Sequence, residues 1–325
     1  MSRGRTSRSS TPGGWVSSRL ESLSEAQFAY LMLLPLFVLL GGMAFWPLVS
    51  TFEMSLRADS VLSANPVGEV VGFTNYVQIL TGQRDALLPS PVLDPSQPFG
   101  SALTVTLVFT VLAVGIETVI GFGQALVLNE SFRGRRWVRV ALILPWAVPI
   151  VIQGMVFWLL FNPGIGPFVD PLNALGLVSK APLANSQDAL FVLILSDVWR
   201  QSAFMTLLIL AGLQSIDREL YQVGRIAGAS RWQRFRTITL PLVVPALLVA
   251  LLFRTIGAMK IYGTIETIST CTTVPSLSCL VVTTFNNGRY GSASTIAFVT
   301  AGIIAVLLFV YLAFVLRSSG DEGAI

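Results

Sequence analysis

Six long apolar runs dominate the chain, and polar segments separate each run from the next. The runs cover roughly residues 28–49, 101–128, 138–161, 189–212, 241–262 and 292–316. Each is at least 22 residues long, and a helix needs about 20 apolar residues to cross the hydrocarbon core of a bilayer. Because every backbone polar group in hydrocarbon needs an internal partner, we predict that each run is a transmembrane helix.

Both ends of the chain are polar. Residues 1–27 are rich in Ser, Gly and Arg, and this composition predicts a disordered basic arm. The apolar run that follows is longer than the core of a signal peptide, which has about 7–15 residues, so we predict an uncleaved first span. The chain is thus divided into the arm (1–27), a transmembrane domain (28–317) and a short tail (318–325).

Composition supports a membrane protein and excludes several chemistries. Charged residues make up 12% of the chain, against about 25% in soluble domains, which is too few to cover a water-facing surface. Histidine is absent, which removes the most common general base and metal ligand. No P-loop or dinucleotide motif occurs. We therefore expect no catalysis, no metal and no nucleic-acid partner.

Lys and Arg residues set the predicted orientation. With the amino terminus in the cytoplasm, the cytoplasmic segments hold 14 of the 21 Lys and Arg residues and the external segments hold 4. Cytoplasmic loops carry an excess of these residues, and the opposite orientation would invert the ratio. We therefore predict an all-α membrane protein with six transmembrane helices and both termini in the cytoplasm.

The predicted cytoplasmic segment between spans 4 and 5 differs from the other loops. Its apolar residues Ile216, Leu220, Val223, Ile226 and Ala227 recur at spacings of three and four, which is typical of an amphipathic helix. We predict a short helix, or two, lying against the cytoplasmic ends of the bundle.

The same segment carries a family resemblance. Residues 219–241, ELYQVGRIAGASRWQRFRTITLP, resemble the cytoplasmic "EAA" loop of binding-protein-dependent ABC importer permeases. Three further motifs are similar to the first permease subunit of maltose and glycerol-phosphate importers. They are GFTNY at 72–76, PWAVP at 145–149 and WLLFNPGIG at 158–166. The resemblance covers roughly residues 28–317.

The resemblance implies a sugar importer of the prokaryotic cell membrane. The chain would pair with a second, homologous permease, a dimer of ATPase subunits would bind beneath, and an external solute-binding protein would deliver a sugar. ATP and magnesium would be bound by the ATPase, and the segment between spans 4 and 5 would be the coupling helix. The expected coupling residues are Glu219, Gln222, Gly228, Ala229, Arg234 and Pro241.

Two positions of the loop depart from the family pattern. Gln222 and Ala227 stand where the family usually has acidic residues, so an ion pair to the ATPase would be missing there. Gly228 can turn, or approach a partner closely, without a steric cost. Pro241 is expected to end the loop and begin span 5, where its missing N–H costs nothing.

Polar and aromatic residues inside the spans are candidates for the substrate path. Charges in hydrocarbon are expensive and functional by default, and aromatic rings stack on sugars. The candidates are Trp158, Asp197, Trp199, Arg200 and Arg254. Structural roles are the alternatives to substrate contact. Asp197 and Arg200, three residues apart, can form an ion pair within their helix, and both tryptophans can belong to the aromatic belt at the membrane interface.

Other span residues have their own alternatives. Arg254 can pair with Glu117 of span 2. Three glycines of span 2, Gly115, Gly121 and Gly123, favour close helix packing rather than hinges.

Two cysteines, Cys271 and Cys279, lie in the predicted external loop between spans 5 and 6. A disulfide is favoured because this loop lies outside the reducing cytoplasm, although free buried cysteines are also common.

Two other protein classes are weaker hypotheses. An ion-driven secondary transporter predicts inverted repeats with paired broken helices, and no internal repeat is visible. An intramembrane enzyme requires a convergent catalytic set, yet the spans carry only Glu117 and Asp197 as acids.

The predicted topology can be tested with reporter fusions. A reporter fused after Arg133 or Arg225 should be cytoplasmic, and one fused after Gln83 or Thr273 should be external, because of the distribution of Lys and Arg. Any of the four fusions on the opposite side would break the six-span model.

Overall fold

The computed structural model describes residues 24–61 and 67–320, with side chains up to residue 313. Most of the predicted arm and the predicted tail therefore lie outside the described residues. Contacts divide the chain into two compact units, residues Met1–Glu53 and Met54–Ile325. Each unit is described by itself.

The described part of the first unit, from residue 24 onward, is one long apolar helix. Helix α1 (Glu25–Leu40) continues through a π-helical turn (Gly41–Phe45) into α2 (Trp46–Ser55). The helix begins three residues earlier than the apolar pattern predicted. The reason is a capping box, in which Ser24 and Gln27 satisfy each other's backbone N–H groups. None of its most apolar stretch is buried.

The second unit is helical apart from one small hairpin, as far as the described residues show. Strands β1 (Arg57–Asp59) and β2 (Val67–Val70) pair antiparallel. The helices are α3 (Thr74–Leu80), α4 (Ala102–Asn129), α5 (Arg135–Ala147), α6 (Ile150–Leu160), α7 (Val169–Ala174), α8 (Ser186–Gln214), α9 (Arg218–Ile226), α10 (Arg231–Arg234), α11 (Leu240–Met259), α12 (Gly263–Ile268), α13 (Leu277–Asn286) and α14 (Tyr290–Gly320).

Among the described residues, five helical runs are long and apolar enough to cross a membrane, and a bent pair makes a sixth when its two helices are counted as one span. The all-α membrane fold is therefore confirmed, but the third predicted span is broken. Helices α5 and α6 meet at an angle of 93°. Pro149 forces the preceding Val148 into an extended conformation, with φ −70° and ψ 127°, which a helix cannot continue through.

The fifth span begins earlier than predicted. Residues Arg231–Met259 form one helical run of 29 residues, so Pro241 does not end the loop but lies inside this run. A π-helical turn (Phe235–Thr239) lies in the same run and ends two positions before Pro241. Pro47 of α2 likewise follows the π-turn at Gly41–Phe45. A wider turn relieves the clash between a proline ring and the preceding turn of helix.

Helices α4 and α8 form the centre of the second unit. Gly121 of α4 permits their close approach, because a Cβ there would lie 2.6 Å from the Met205 Cβ of α8. The other two glycines of this span, Gly115 and Gly123, face open space. Of the three predicted packing glycines, one contacts a neighbouring helix. Hydrophobicity alone does not reveal which face of α4 meets α8.

The predicted external region is fastened to the start of the last helix. Asp59 accepts hydrogen bonds from the backbone and side chain of Ser292, and Arg84 contacts both residues. Buried Asn75 donates to the carbonyls of Ser55 and Arg57. These bonds give an otherwise irregular, proline-rich segment a fixed position on α14.

The packing of α4 on α8 generates a matched test. Gly121→Leu should destabilise the protein by about 1–3 kcal/mol, because the new side chain overlaps the backbone of α8. Gly123→Leu adds the same side chain to open space and should have little effect. Thermal unfolding of the detergent-solubilised variants measures both, and equal unfolding temperatures would contradict the packing.

Candidate functional site

Three charged side chains from three spans meet inside the bundle. Arg254 of α11 donates through Nε and Nη2 to Glu117 of α4, at 2.6 and 2.8 Å, and through Nη2 to Asp197 of α8, at 2.7 Å. All three residues are at least 93% buried. One planar guanidinium thus serves two carboxylates, which suits its fork of donors. We call these three residues the ion cluster.

The predicted pair of Asp197 with Arg200 is wrong. Spacing along a helix makes two residues neighbours, but Asp197 points to Arg254 of another helix. Within the described residues Arg200 forms no ion pair, and its Nε is buried without a hydrogen-bond partner. The alternative pairing of Arg254 with Glu117 is the one that the structure shows.

Within the described residues, the remaining path candidates form no hydrogen bond or ion pair with the ion cluster. Trp158 and Trp199 expose 44% and 40% of their surface on this chain. The ring of Trp199 packs against Phe157, with centroids 5.8 Å apart. The structure therefore brings together Asp197 and Arg254 but not the two tryptophans.

Sequence analysis missed a buried amide in the broken third span. Gln153 donates to the backbone and side-chain oxygens of Ser196, at 2.9 and 2.7 Å, and so ties α6 to α8. The sequence does indicate this residue, because Gln153 is the single polar side chain in the apolar segment IVIQGMVFW at residues 150–158. Polar residues inside membrane helices commonly hydrogen-bond across helices.

Cys271 and Cys279 form a disulfide, with their Cα atoms 5.4 Å apart. Glu266 lies beside the bridge and accepts a hydrogen bond from the Cys271 backbone N–H. These three residues are close enough together to suggest metal ligands, but sulfurs joined to each other offer no thiolates. The bridge instead closes the loop before α13, which Ser276 anchors by donating to the Ile261 carbonyl.

The predicted coupling segment forms two short, well-capped helices. Asp217 caps the start of α9, and Gly228 closes its end with φ +78°. The Gly228 and Ala229 N–H groups bond to the carbonyls of Arg225 and Gly224, which is a Schellman motif. A Cβ at Gly228 would meet nothing within 4 Å, so this glycine provides the turn.

The start of α10 is also capped by side-chain hydrogen bonds. Ser230 and Gln233 form a capping box, with bonds of 2.7 and 3.2 Å between each side chain and the other's backbone N–H. The coupling segment is therefore two rigid pieces joined by one left-handed residue.

The apolar stripe of α9 faces outward, which corrects the prediction that it lies against the bundle. Leu220, Val223 and Ile226 are 45%, 63% and 88% exposed, and of the predicted stripe residues Ile216 is the one that is buried. The bundle is contacted through Tyr221, whose hydroxyl lies 3.0 Å from that of Thr239. The short helix contacts the bundle through the hydroxyl of Tyr221 and leaves its apolar side chains exposed.

The other predicted coupling residues fall into two groups. Glu219, Gln222 and Gly228 are exposed. Arg234 is half-buried, and its side chain packs 3.2 Å from the position of a Cβ on Gly224. The close approach attributed to Gly228 is thus made at Gly224.

These features define a class: a polytopic membrane protein whose helices enclose an ion cluster and whose capped helical segment exposes an apolar stripe. Residues 117–319 match the family of binding-protein-dependent transport system inner membrane components, and the chain belongs to that family. It is a transport component, not an enzyme.

Named relatives extend over nearly the whole chain. The chain is 36% identical to the trehalose/maltose transport system permease protein MalF of Thermococcus litoralis, covering 89% of this chain and 93% of the relative. It is 34% identical to the inner membrane ABC transporter permease protein YcjO of Escherichia coli, covering 88% and 93%. The trehalose transport system permease protein SugA of Mycobacterium tuberculosis is 28% identical, covering 89% of each chain.

A solved structure shares the fold. A chain of a bacterial ABC transporter that imports the acidic polysaccharide alginate superposes with a TM-score of 0.70 at 21% identity, covering 93% of this chain and 99% of that one. The fold of this chain is therefore the fold of that transporter chain.

The ion cluster predicts a specific pattern of stability. Arg254→Gln should cost about 3–5 kcal/mol, because it leaves Glu117 and Asp197 buried without their counter-charge. Arg200→Gln, which removes a guanidinium with no ion pair, should cost far less. Unfolding temperature and membrane level measure the difference.

A neutral version of the cluster separates charge from packing. The triple variant Glu117→Gln, Asp197→Asn, Arg254→Gln should recover most of the stability lost in Arg254→Gln, because no uncompensated charge remains. If Arg200→Gln proves as harmful as Arg254→Gln, the assigned partner of Asp197 is incorrect.

Proposed function

We propose that this chain forms part of the translocation path of an ATP-binding-cassette importer for a sugar or sugar derivative. The observation that carries the proposal is the exposed apolar stripe of α9, held outside the spans by caps at both ends. A transporter subunit without a nucleotide site needs such an exposed surface for an ATPase subunit to bind. The family match and the sugar-transport names of its relatives support the substrate class.

The proposed assembly contains three kinds of partner. A second, homologous permease completes the path, a dimer of ATPase subunits binds ATP and magnesium beneath the coupling segment, and an external solute-binding protein delivers the sugar. An alginate importer of the same fold was solved with a pentasaccharide-bound periplasmic protein, which supports the last partner. This chain itself needs no cofactor. Both termini would face the cytoplasm of a prokaryotic cell.

The coupling segment and the ion cluster share a helix. Arg234 and Arg254 lie on the same run, Arg231–Met259, and 20 residues of helix span about 30 Å. A movement imposed on α10 by an ATPase would therefore displace Arg254 inside the membrane. Since Arg254 holds carboxylates of α4 and α8, those two spans would move with it rather than independently.

The residues predicted for substrate contact divide between two roles. Asp197 and Arg254 hold the helices in register, because their polar atoms are used by each other and by Glu117. Trp158 and Trp199 keep exposed rings that can stack on a sugar where this chain faces the second permease. Arg200, with its buried Nε free of hydrogen bonds among the described residues, is available to a hydroxyl of the substrate.

Coupling is tested at the left-handed turn. Gly228→Trp should leave membrane level nearly normal, because open space surrounds the residue, although its positive φ costs about 1–2 kcal/mol. It should reduce ATPase copurification and sugar uptake, since the turn orients α9 and α10. Glu219→Lys should act in the same direction but less strongly, because an exposed charge contributes about 0–1 kcal/mol.

Gly134→Trp is the matched control. Gly134 also has a positive φ, of +89°, and open space around it, but it lies outside the coupling segment. It should bear the same backbone strain and retain ATPase binding. Normal uptake by Gly228→Trp at normal membrane level would refute the role of the coupling segment.

A further inference from the structure

A cavity of about 820 Å³ lies between the coupling segment and the ends of two spans. Its walls come from the last residues of α4 and α8, the first residue of α5, and α9 and α10. The cavity is separate from the ion cluster, none of whose residues lines it. On the predicted topology it opens to the cytoplasm.

The lining of this cavity is strongly basic. Four arginines from three helices face it, against one acidic residue, Glu130. The arginines are Arg135, Arg218, Arg225 and Arg234. Among the described residues none of the four forms an ion pair. Guanidinium groups that line one cavity repel one another, and a bound anion would neutralise this repulsion.

Two of these arginines also have unsatisfied donors. The Nε atoms of Arg135 and Arg234 are buried and make no hydrogen bond. A buried polar group without a partner normally has an explanation such as a bound ion. Arg234 is held in place because its side chain packs against Gly224, where a Cβ would approach within 3.2 Å. The aliphatic part of this side chain is thus held in place, which positions its guanidinium at the cavity.

The start of α5 adds to the positive field. Its N-cap is Gly134, which offers no side-chain acceptor to the first backbone N–H groups. Arg135 stands at this uncapped end, and a helix N-terminus favours negative charge. Neutral hydrogen-bonding groups complete the wall, including Gln222 of α9.

We propose that this cavity binds a phosphate group, carried either by free phosphate or by an anionic lipid headgroup. Phosphate accepts paired hydrogen bonds from arginine forks, and its oxygens can bind several arginines at once. A bound phosphate would bridge α5 to α9 and α10, and so connect the bent third span with the coupling segment. Gln222 fits this site, because an acid at that position would repel the ligand.

The test uses the assembled importer in lipid nanodiscs and measures thermal unfolding, a readout that is independent of transport. In one arm the nanodiscs contain phosphatidylcholine, and inorganic phosphate is titrated against chloride at constant ionic strength. In the other arm phosphatidic acid replaces part of the phosphatidylcholine without free phosphate. A rise in unfolding temperature in the first arm identifies free phosphate, and a rise in the second alone identifies the lipid.

Paired variants locate the site. Arg135→Gln with Arg225→Gln removes two arginines of the cavity and should weaken the ligand's apparent affinity by about tenfold or more. Arg136→Gln with Arg231→Gln removes the same charge from neighbouring exposed positions that do not line the cavity. This control should bind as the unmodified protein does.

Three results would overturn the proposal. They are no stabilisation in either arm, equal weakening in both double variants, and stabilisation of the isolated permease pair that disappears in the assembled importer. The last result would mean that the ATPase fills the cavity. None of these results depends on whether the importer carries a sugar, so the proposed function stands or falls separately.

Discussion

The shared guanidinium of Arg254 is the interaction on which the rest of the membrane domain depends. Ionised groups in a hydrocarbon environment are tolerated when they are paired and hydrogen-bonded. Arg254 reaches Glu117 and Asp197 within 2.8 Å, which fixes the rotation and depth of three helices at once. Apolar packing around it, such as the contact at Gly121, tolerates small displacements far better than this cluster does.

The unbroken helix of the fifth span connects the ion cluster to the coupling segment outside the membrane. A loop that ended at Pro241 would uncouple the coupling segment from the membrane. Instead, the π-turn at Phe235–Thr239 lets the helix pass Pro241 without a break, and the run continues from Arg231 to Met259. The third span has the opposite design, since Pro149 breaks it at a sharp angle. Two prolines thus have opposite effects, because one follows a widened turn and the other forces its predecessor out of the helix.

The charge of the coupling region distinguishes this chain from the usual family pattern. The replacement of two customary acids by Gln222 and Ala227 leaves a surface whose charged groups are mostly arginines. Its apolar stripe can still be buried by a partner, and burial of apolar surface needs no particular charge. The basic cavity behind the stripe is a separate feature, formed where α4 and α8 end and α5 begins beside α9.

The approximate positions of the spans, the class of fold and the position of the segment between spans 4 and 5 could be predicted from the amino-acid sequence. These features follow from local properties: the length of the apolar runs, the distribution of Lys and Arg, and apolar residues at helical spacing. The sequence also favoured a disulfide between Cys271 and Cys279, because their loop was predicted to lie outside the reducing cytoplasm, and the structure contains this bridge. Family motifs narrowed the function because they are contiguous in the chain.

The tertiary structure alone decided which residues meet across helices. Helical spacing suggested Arg200 as the partner of Asp197, yet Arg254, 57 residues away, is closer in space. The inward face of α9, the single packing glycine of α4 and the basic cavity were hidden for the same reason. Each depends on how a helix is rotated against its neighbours, and in a chain surrounded by lipid the apolar pattern is nearly uniform around every span, so hydrophobicity cannot fix that rotation.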